Sequence, residues 1–135
     1  MYPLSEDATV KTIMVVDDEP DVTESIKMVF EGAPPRFNVL CANSGSECIE
    51  LLEKKKLPDL ILLDIMMPGM SGWDVQKQLQ EHPKWKDIPV VFLTAVPERG
   101  IKDTTSFTGV DYFEKPVDVL DLKRQVRNIL RRKKK

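Results

Sequence analysis

The sequence predicts a doubly wound α/β domain: a parallel sheet covered by helices on both faces. Three observations carry that prediction. Four short apolar runs and a weaker fifth recur along the chain, at Ile13 to Val16, Phe37 to Cys41 (broken by Asn38), Leu60 to Leu63, Val90 to Leu93 and Val110 to Phe113. Most are continuously apolar rather than alternating, as strands buried on both faces require. Helical patterns fall between them, and strands alternating with helices through right-handed crossovers build this architecture.

Taken in order, residues 1–11 form a polar arm that is expected to be flexible, and the domain is expected to span 12–130. After the first strand, Val22, Ile26, Val29 and Phe30 make one helical stripe, with Pro20 where a first turn tolerates a missing N–H. Ser44 followed by Glu47 is a capping-box pattern, so a second helix begins near Gly45 and carries Cys48, Leu51 and Leu52. Ser71 precedes a third helix bearing Val75 and Leu79, and Asp118 precedes a last one with Val119, Leu122, Val126, Ile129 and Leu130 on one stripe. Between the fourth and fifth strands, Glu98 to Thr108 holds only Ile101 and Phe107 as large apolar residues, with Gly100 and the poor helix formers Thr104, Thr105 and Ser106. A fourth helix there is expected to be short, mobile or both.

Composition narrows the class. With 135 residues the chain can bury a sufficient core as one domain without a disulfide or structural metal. Hydrophobic residues at 41% and charged residues at 31% match soluble proteins, and no apolar run approaches the roughly 18 residues of a membrane span. The two cysteines, Cys41 and Cys48, read as small apolar residues rather than a disulfide framework, and no signal-peptide pattern opens the chain. A reducing cytoplasm is therefore expected. The net charge of −2 offers no general attraction to nucleic acid, which is not expected as a partner, and membrane insertion is not expected either. Residues 131–135 form a basic tail, read as a solvated end to the last helix that suits its dipole.

Sheets of this kind bind ligands beyond the carboxyl ends of their strands, where the strand order reverses. Asp17 and Asp18 follow the first strand and Asp64 follows the third, which delivers three acids to one edge. Clustered carboxylates repel unless a hard divalent cation joins them, so an Mg2+ site (or Mn2+) is expected. The fourth strand ends in Thr94, and the fifth leads into Lys115 and Pro116. A metal, an ammonium and a hydroxyl converging on one carboxylate suit phosphoryl transfer, with Asp64 the best-placed nucleophile.

Ile13-Met14-Val15-Val16-Asp17-Asp18-Glu19-Pro20, Leu62-Leu63-Asp64 through Gly72, Leu93-Thr94-Ala95 and Tyr112-Phe113-Glu114-Lys115-Pro116 resemble, in order and spacing, the motifs of response-regulator receiver domains, over about residues 12 to 130. The resemblance implies a flavodoxin-like fold, a five-stranded parallel sheet of order 2-1-3-4-5 with five helices. It implies that Asp64 is the phosphoacceptor, that Asp18 ligates Mg2+ directly, that Asp17 acts mostly through water, and that the backbone carbonyl of Met66 completes the metal site. Thr94 and Lys115 would contact the phosphoryl oxygens, with Ala95 and Pro116 shaping the site. Thr94 and Tyr112 would move together as the switch, remodelling the face made by the fourth helix, fifth strand and last helix. The donor would be a sensor histidine kinase or a histidine phosphotransfer protein, and the output an unknown downstream protein bound by a monomer, or by a dimer once phosphorylated. The domain would not be an enzyme beyond its own phosphotransfer and dephosphorylation.

Two features depart from the family pattern. Gly109-Val110-Asp111-Tyr112 is one residue shorter than usual, and the segment of the fourth helix is unusually polar. Met66 and Val96 occupy positions through which the family tunes water attack; both are apolar, so slow self-dephosphorylation is expected. Among competing readings, a dehalogenase-type phosphatase needs an acid where Met66 stands, and a flavin or dinucleotide binder would be repelled by Asp17-Asp18-Glu19. A degenerate receiver that binds partners without phosphorylation is the alternative kept. His82, the only histidine, reads as a favourable end to the third helix rather than a phosphodonor.

Overall fold

The fold is taken from a computed structural model, described for residues 10–95, 111–115 and 118–133. Its elements run β1 (Thr12–Val16), α1 (Pro20–Gly32), β2 (Asn38–Ala42), α2 (Gly45–Glu53), β3 (Leu60–Asp64), α3 (Gly72–Glu81), β4 (Val90–Thr94), β5 (Asp111–Glu114) and α4 (Val119–Lys133). All five strands are parallel in the order β2-β1-β3-β4-β5. The order reverses at β1, so a crevice opens beyond the carboxyl ends of β1 and β3.

Strand periodicity splits the core into two layers. Ile13, Val15, Leu60, Leu62, Val91 and Leu93 face Ile26 and Phe30 of α1 and Leu122, Val126 and Ile129 of α4. Met14, Val16, Ile61, Leu63 and Phe92 point the other way, against Cys48 and Leu52 of α2 and Val75 and Leu79 of α3. Because both faces are covered, alternate residues of one strand are equally buried, which is why the sequence shows runs and not alternation.

Local rules set the helix ends. Pro20 opens α1. At α2, Ser44 Oγ accepts from the Glu47 amide, while the Glu47 carboxylate reaches the Asn43 amide at 2.6 Å, one residue before the cap. Lys55 closes α2 with φ 65, its amide donating to Leu52 and that of Lys56 to Leu51; the paired bonds make a Schellman end in which a lysine holds the position glycine usually takes. Ser71 and Asp74 form a reciprocal capping box at α3, and Asp118 accepts from the Asp121 amide at the start of α4. The last turn of α1 has no basic residue of its own. Lys123 of α4 fills that role from across the interface, donating to Val29 O at 3.1 Å and Ala33 O at 2.7 Å.

Several expectations shift in detail. The second strand starts at Asn38, not Phe37, whose ring instead packs on Phe30 with centroids 5.6 Å apart. The last helix continues to Lys133, into the stretch read as a tail. Four helices stand among the described residues; the expected helix between Glu98 and Thr108, Val110 of the fifth strand, and Val96, Pro116 and most of the N-terminal arm lie outside them. Both cysteines are free, and burial pushes the Cys48 thiol up to about 12, so it packs as an apolar residue. His82 ends α3 with its ring stacked on Trp85 at 3.7 Å, and its Nδ1 accepts from the Lys84 amide. Among the described residues no helix is long and apolar enough to cross a membrane.

Candidate functional site

The crevice at the reversal of strand order holds the acids the sequence singled out. β1 ends at Val16 and β3 at Asp64, paired neighbours in the sheet, so Asp17, Asp18 and Asp64 emerge at one edge. One carboxylate oxygen from each lies within 4.8 Å of the others. Asp17 and Asp64 are buried and Asp18 is half-buried. Asp17 Oδ1 accepts from the Glu19 amide at 2.9 Å, and Asp64 Oδ1 accepts from the Met66 amide at 3.2 Å. Each bond turns one oxygen toward its own loop and leaves the second for the crevice.

Lys115 follows β5 and meets those second oxygens. Its Nζ stands 2.6 Å from Asp17 Oδ2 and 3.4 Å from Asp64 Oδ2, with Glu19 Oε1 at 3.8 Å. Burial alone would pull the ammonium down, but Asp17, and after it Asp64, hold it above the usual lysine value. Burial and then the Asp17 charge push the Asp64 carboxyl up to about 6, against the pull of Lys115 and the Met66 amide. One ammonium therefore faces three carboxylates and leaves charge uncompensated. Asp17 Oδ2 is buried, and its one close partner among the described residues is the Lys115 ammonium at 2.6 Å. Three carboxylate oxygens within 4.8 Å of one another, an all-oxygen set with more negative charge than one ammonium offsets, fit a hard divalent cation.

The remaining expected residues are placed as follows. Thr94 ends β4, in register with Glu114 just before Lys115, which brings it to the same edge. Ala95 is exposed and lines the same hollow as Glu19 and Lys115. Met66 turns its side chain outward, 64% exposed, so any metal contact rests on its backbone. Tyr112 sits opposite Phe92 on β5 and is 40% exposed. Pro116 lies outside the described residues.

Sequence reasoning did not single out three residues that hold the site. Asn43 follows β2 and donates through Nδ2 to the Asp17 carbonyl at 3.0 Å and to Thr23 Oγ1 at 3.4 Å, tying the Asp17 loop to β2 and α1. Thr23 is buried, with its hydroxyl on the Pro20 carbonyl. Gly72 approaches the backbone beneath Asp64: its amide donates to Ile65 O at 2.8 Å, and a Cβ there would stand 2.4 Å from Asp64 O. Asn43 carried a signal, since it also lies at a strand's carboxyl end. Gly72 carried one only as the last residue of the motif that runs from Leu62, with no sign of the contact it makes.

The sequence matches the response regulator receiver domain family over residues 13–127. It is 37% identical over 136 residues to a Vibrio cholerae serotype O1 protein named "Probable cyclic di-GMP phosphodiesterase", covering 99% of this chain and 30% of that protein. It is 38% identical over 122 residues to the response regulator Rre1 of Synechocystis, covering 90% of this chain and 52% of that protein. The chain thus spans about half, or less, of these curated relatives. The receiver domain of the Francisella response regulator 1452 superposes with a TM-score of 0.78 at 27% identity, covering 92% of this chain and 99% of that one.

Proposed function

The chain belongs to the response regulator receiver domain family of two-component signalling, and on that premise we propose that Asp64 accepts a phosphoryl group from a sensor histidine kinase or a histidine phosphotransfer protein in a reaction that needs Mg2+ or Mn2+. The observation that supports this reading is the buried Asp64 carboxylate set beside Asp17 and Asp18, with Lys115 3.4 Å away.

Asp17, Asp18, Asp64 and the Met66 carbonyl would hold the cation, which when bound supplies neutralisation of the phosphoryl oxygens. With its carboxyl held at about 6, Asp64 is mostly ionised at neutral pH. Its free oxygen attacks phosphorus; the bond from phosphorus to the donor nitrogen breaks, and the donor imidazole keeps the electron pair. An acyl phosphate forms. Lys115 then exchanges part of its contact with Asp17 for the new phosphoryl oxygens, and Thr94 is assigned a second contact. Met66, two residues beyond Asp64, and Val96, two beyond Thr94 in the sequence, are both apolar, so loss of the phosphoryl group is slow. Tyr112 and Thr94 carry the change to the face of β5 and α4, where a downstream protein binds. The chain works in the cytoplasm as a phosphoacceptor and not as an enzyme that turns over another substrate.

Intact-mass spectrometry tests this reading, with wild type and Asp64→Asn each incubated with acetyl phosphate in Mg2+ or chelator. One phosphoryl group is expected on wild type only, and only with metal. If neither protein is modified and titration shows no Mg2+ binding, a receiver that binds partners without phosphorylation replaces the proposal.

A further inference from the structure

At the end of the sheet opposite Asp64, three stretches of chain deliver four cations to one cleft of about 250 Å³. Lys11 comes from the residue before β1, Arg36 from the connection between α1 and β2, and Arg127 and Arg131 from successive turns of α4. Phe37 and Leu130 line the same cleft and give it an apolar floor. The three arginines are exposed and Lys11 is half-buried. None of the four pairs with a described acid, although elsewhere Lys27, Lys115 and Arg124 each do. The Arg36 charge reaches further: after burial, it is what holds the Lys123 ammonium below its usual value.

Four like charges gathered from separate stretches around an apolar floor make one positive patch that attracts a group of opposite charge. Guanidinium groups pair with carboxylates in a fixed fork, and an aromatic and an aliphatic floor accept an apolar side chain. We infer that this cleft is a docking site for an acidic peptide segment of a partner protein, its carboxylates held by Arg36, Arg127 and Arg131 and an apolar residue seated on Phe37 and Leu130. Charge complementarity carries the choice of partner. Nucleic acid fits less well, because the chain as a whole is net −2 and would not steer a long polyanion toward it, and a phosphate backbone has no use for an apolar floor.

The test is fluorescence anisotropy with a fluorescein-labelled hexapeptide of glutamates flanking a leucine and a phenylalanine, at low and high salt. The all-glutamine version and a short DNA duplex serve as competing probes. Arg36→Glu with Arg127→Glu should weaken binding of the acidic peptide by about tenfold or more without lowering the melting temperature. The charge-matched pair Lys54→Glu with Lys56→Glu, at the exposed end of α2, should leave binding near wild type. Absence of peptide binding, equal loss in the charge-matched pair, or tighter binding of the duplex through the same arginines would each overturn the assignment.

Discussion

Gly72→Ala is the sharpest test of how the fold positions Asp64. The added methyl would sit 2.4 Å from Asp64 O and 2.7 Å from Ile65 Cα, both backbone atoms that no side-chain rotation can clear. Carbon and carbonyl oxygen come no closer than about 3.3 Å even in favourable contacts, so the turn beneath Asp64 must retreat by roughly 0.9 Å. Overpacking of this kind costs about 1–3 kcal/mol. For a chain of this length each kcal/mol moves the melting temperature by about 3.5 °C, so a fall of about 4–10 °C is expected in differential scanning calorimetry. The same retreat breaks the 2.8 Å bond from the Gly72 amide to Ile65 O and drags the Asp64 carboxylate away from Lys115. A reacting group misplaced by about 1 Å loses on the order of a hundredfold in rate, so phosphorylation by acetyl phosphate should slow far more than stability alone explains. A melting temperature within about 1 °C of wild type, together with an unchanged phosphorylation rate, would refute the reasoning.

Other perturbations separate the remaining forces. Asp64→Asn should stabilise the metal-free protein at neutral pH by up to about 3 kcal/mol, because its carboxyl stands at about 6 in the folded state against about 3.9 when unfolded. The sign follows from proton binding: the folded state holds more protons between those values, so wild type in chelator loses this stability as pH rises from about 4 to 6, and Asp64→Asn should show no such loss in thermal melts across that range. Lys123→Met keeps the buried stem but strips two donors from the end of α1, and should cost about 2 kcal/mol, read by urea unfolding at unchanged m-value. Lys55→Gly relieves the left-handed backbone at φ 65 and should raise stability by about 0.5–1 kcal/mol in the same assay; a fall would mean the lysine side chain contributes more than the strain removes.

Much of the fold was legible because its signals are local. Runs of apolar residues mark strands covered on both faces, and Ser44, Ser71 and Asp118 mark helix starts within a few residues. The site was legible for a related reason: Asp17, Asp18, Asp64, Thr94 and Lys115 all follow apolar runs, and in a doubly wound sheet the ends of runs converge. What escaped was whatever depends on residues distant in sequence or on the absence of a side chain. Gly72 acts only through the atoms a methyl would strike. Lys123 looks like one more polar residue of an amphipathic helix until α1 is packed against it and its ammonium caps carbonyls some ninety residues away. Glu47 was read as a partner for its own cap and instead reaches back to Asn43, which in turn holds the Asp17 carbonyl.

The sequence by itself determined the alternation of strands and helices, the placement of acids and a lysine at strand ends, and the family those motifs spell, because periodicity, caps and motif order are properties of short stretches. Only the tertiary structure decided that Lys115 lies nearer Asp17 than Asp64, that burial lifts the Asp64 carboxyl to about 6, and that four cations from three stretches meet in one cleft at the far end of the sheet. Those are distances and desolvation, and both arise when separate segments pack together and exclude water.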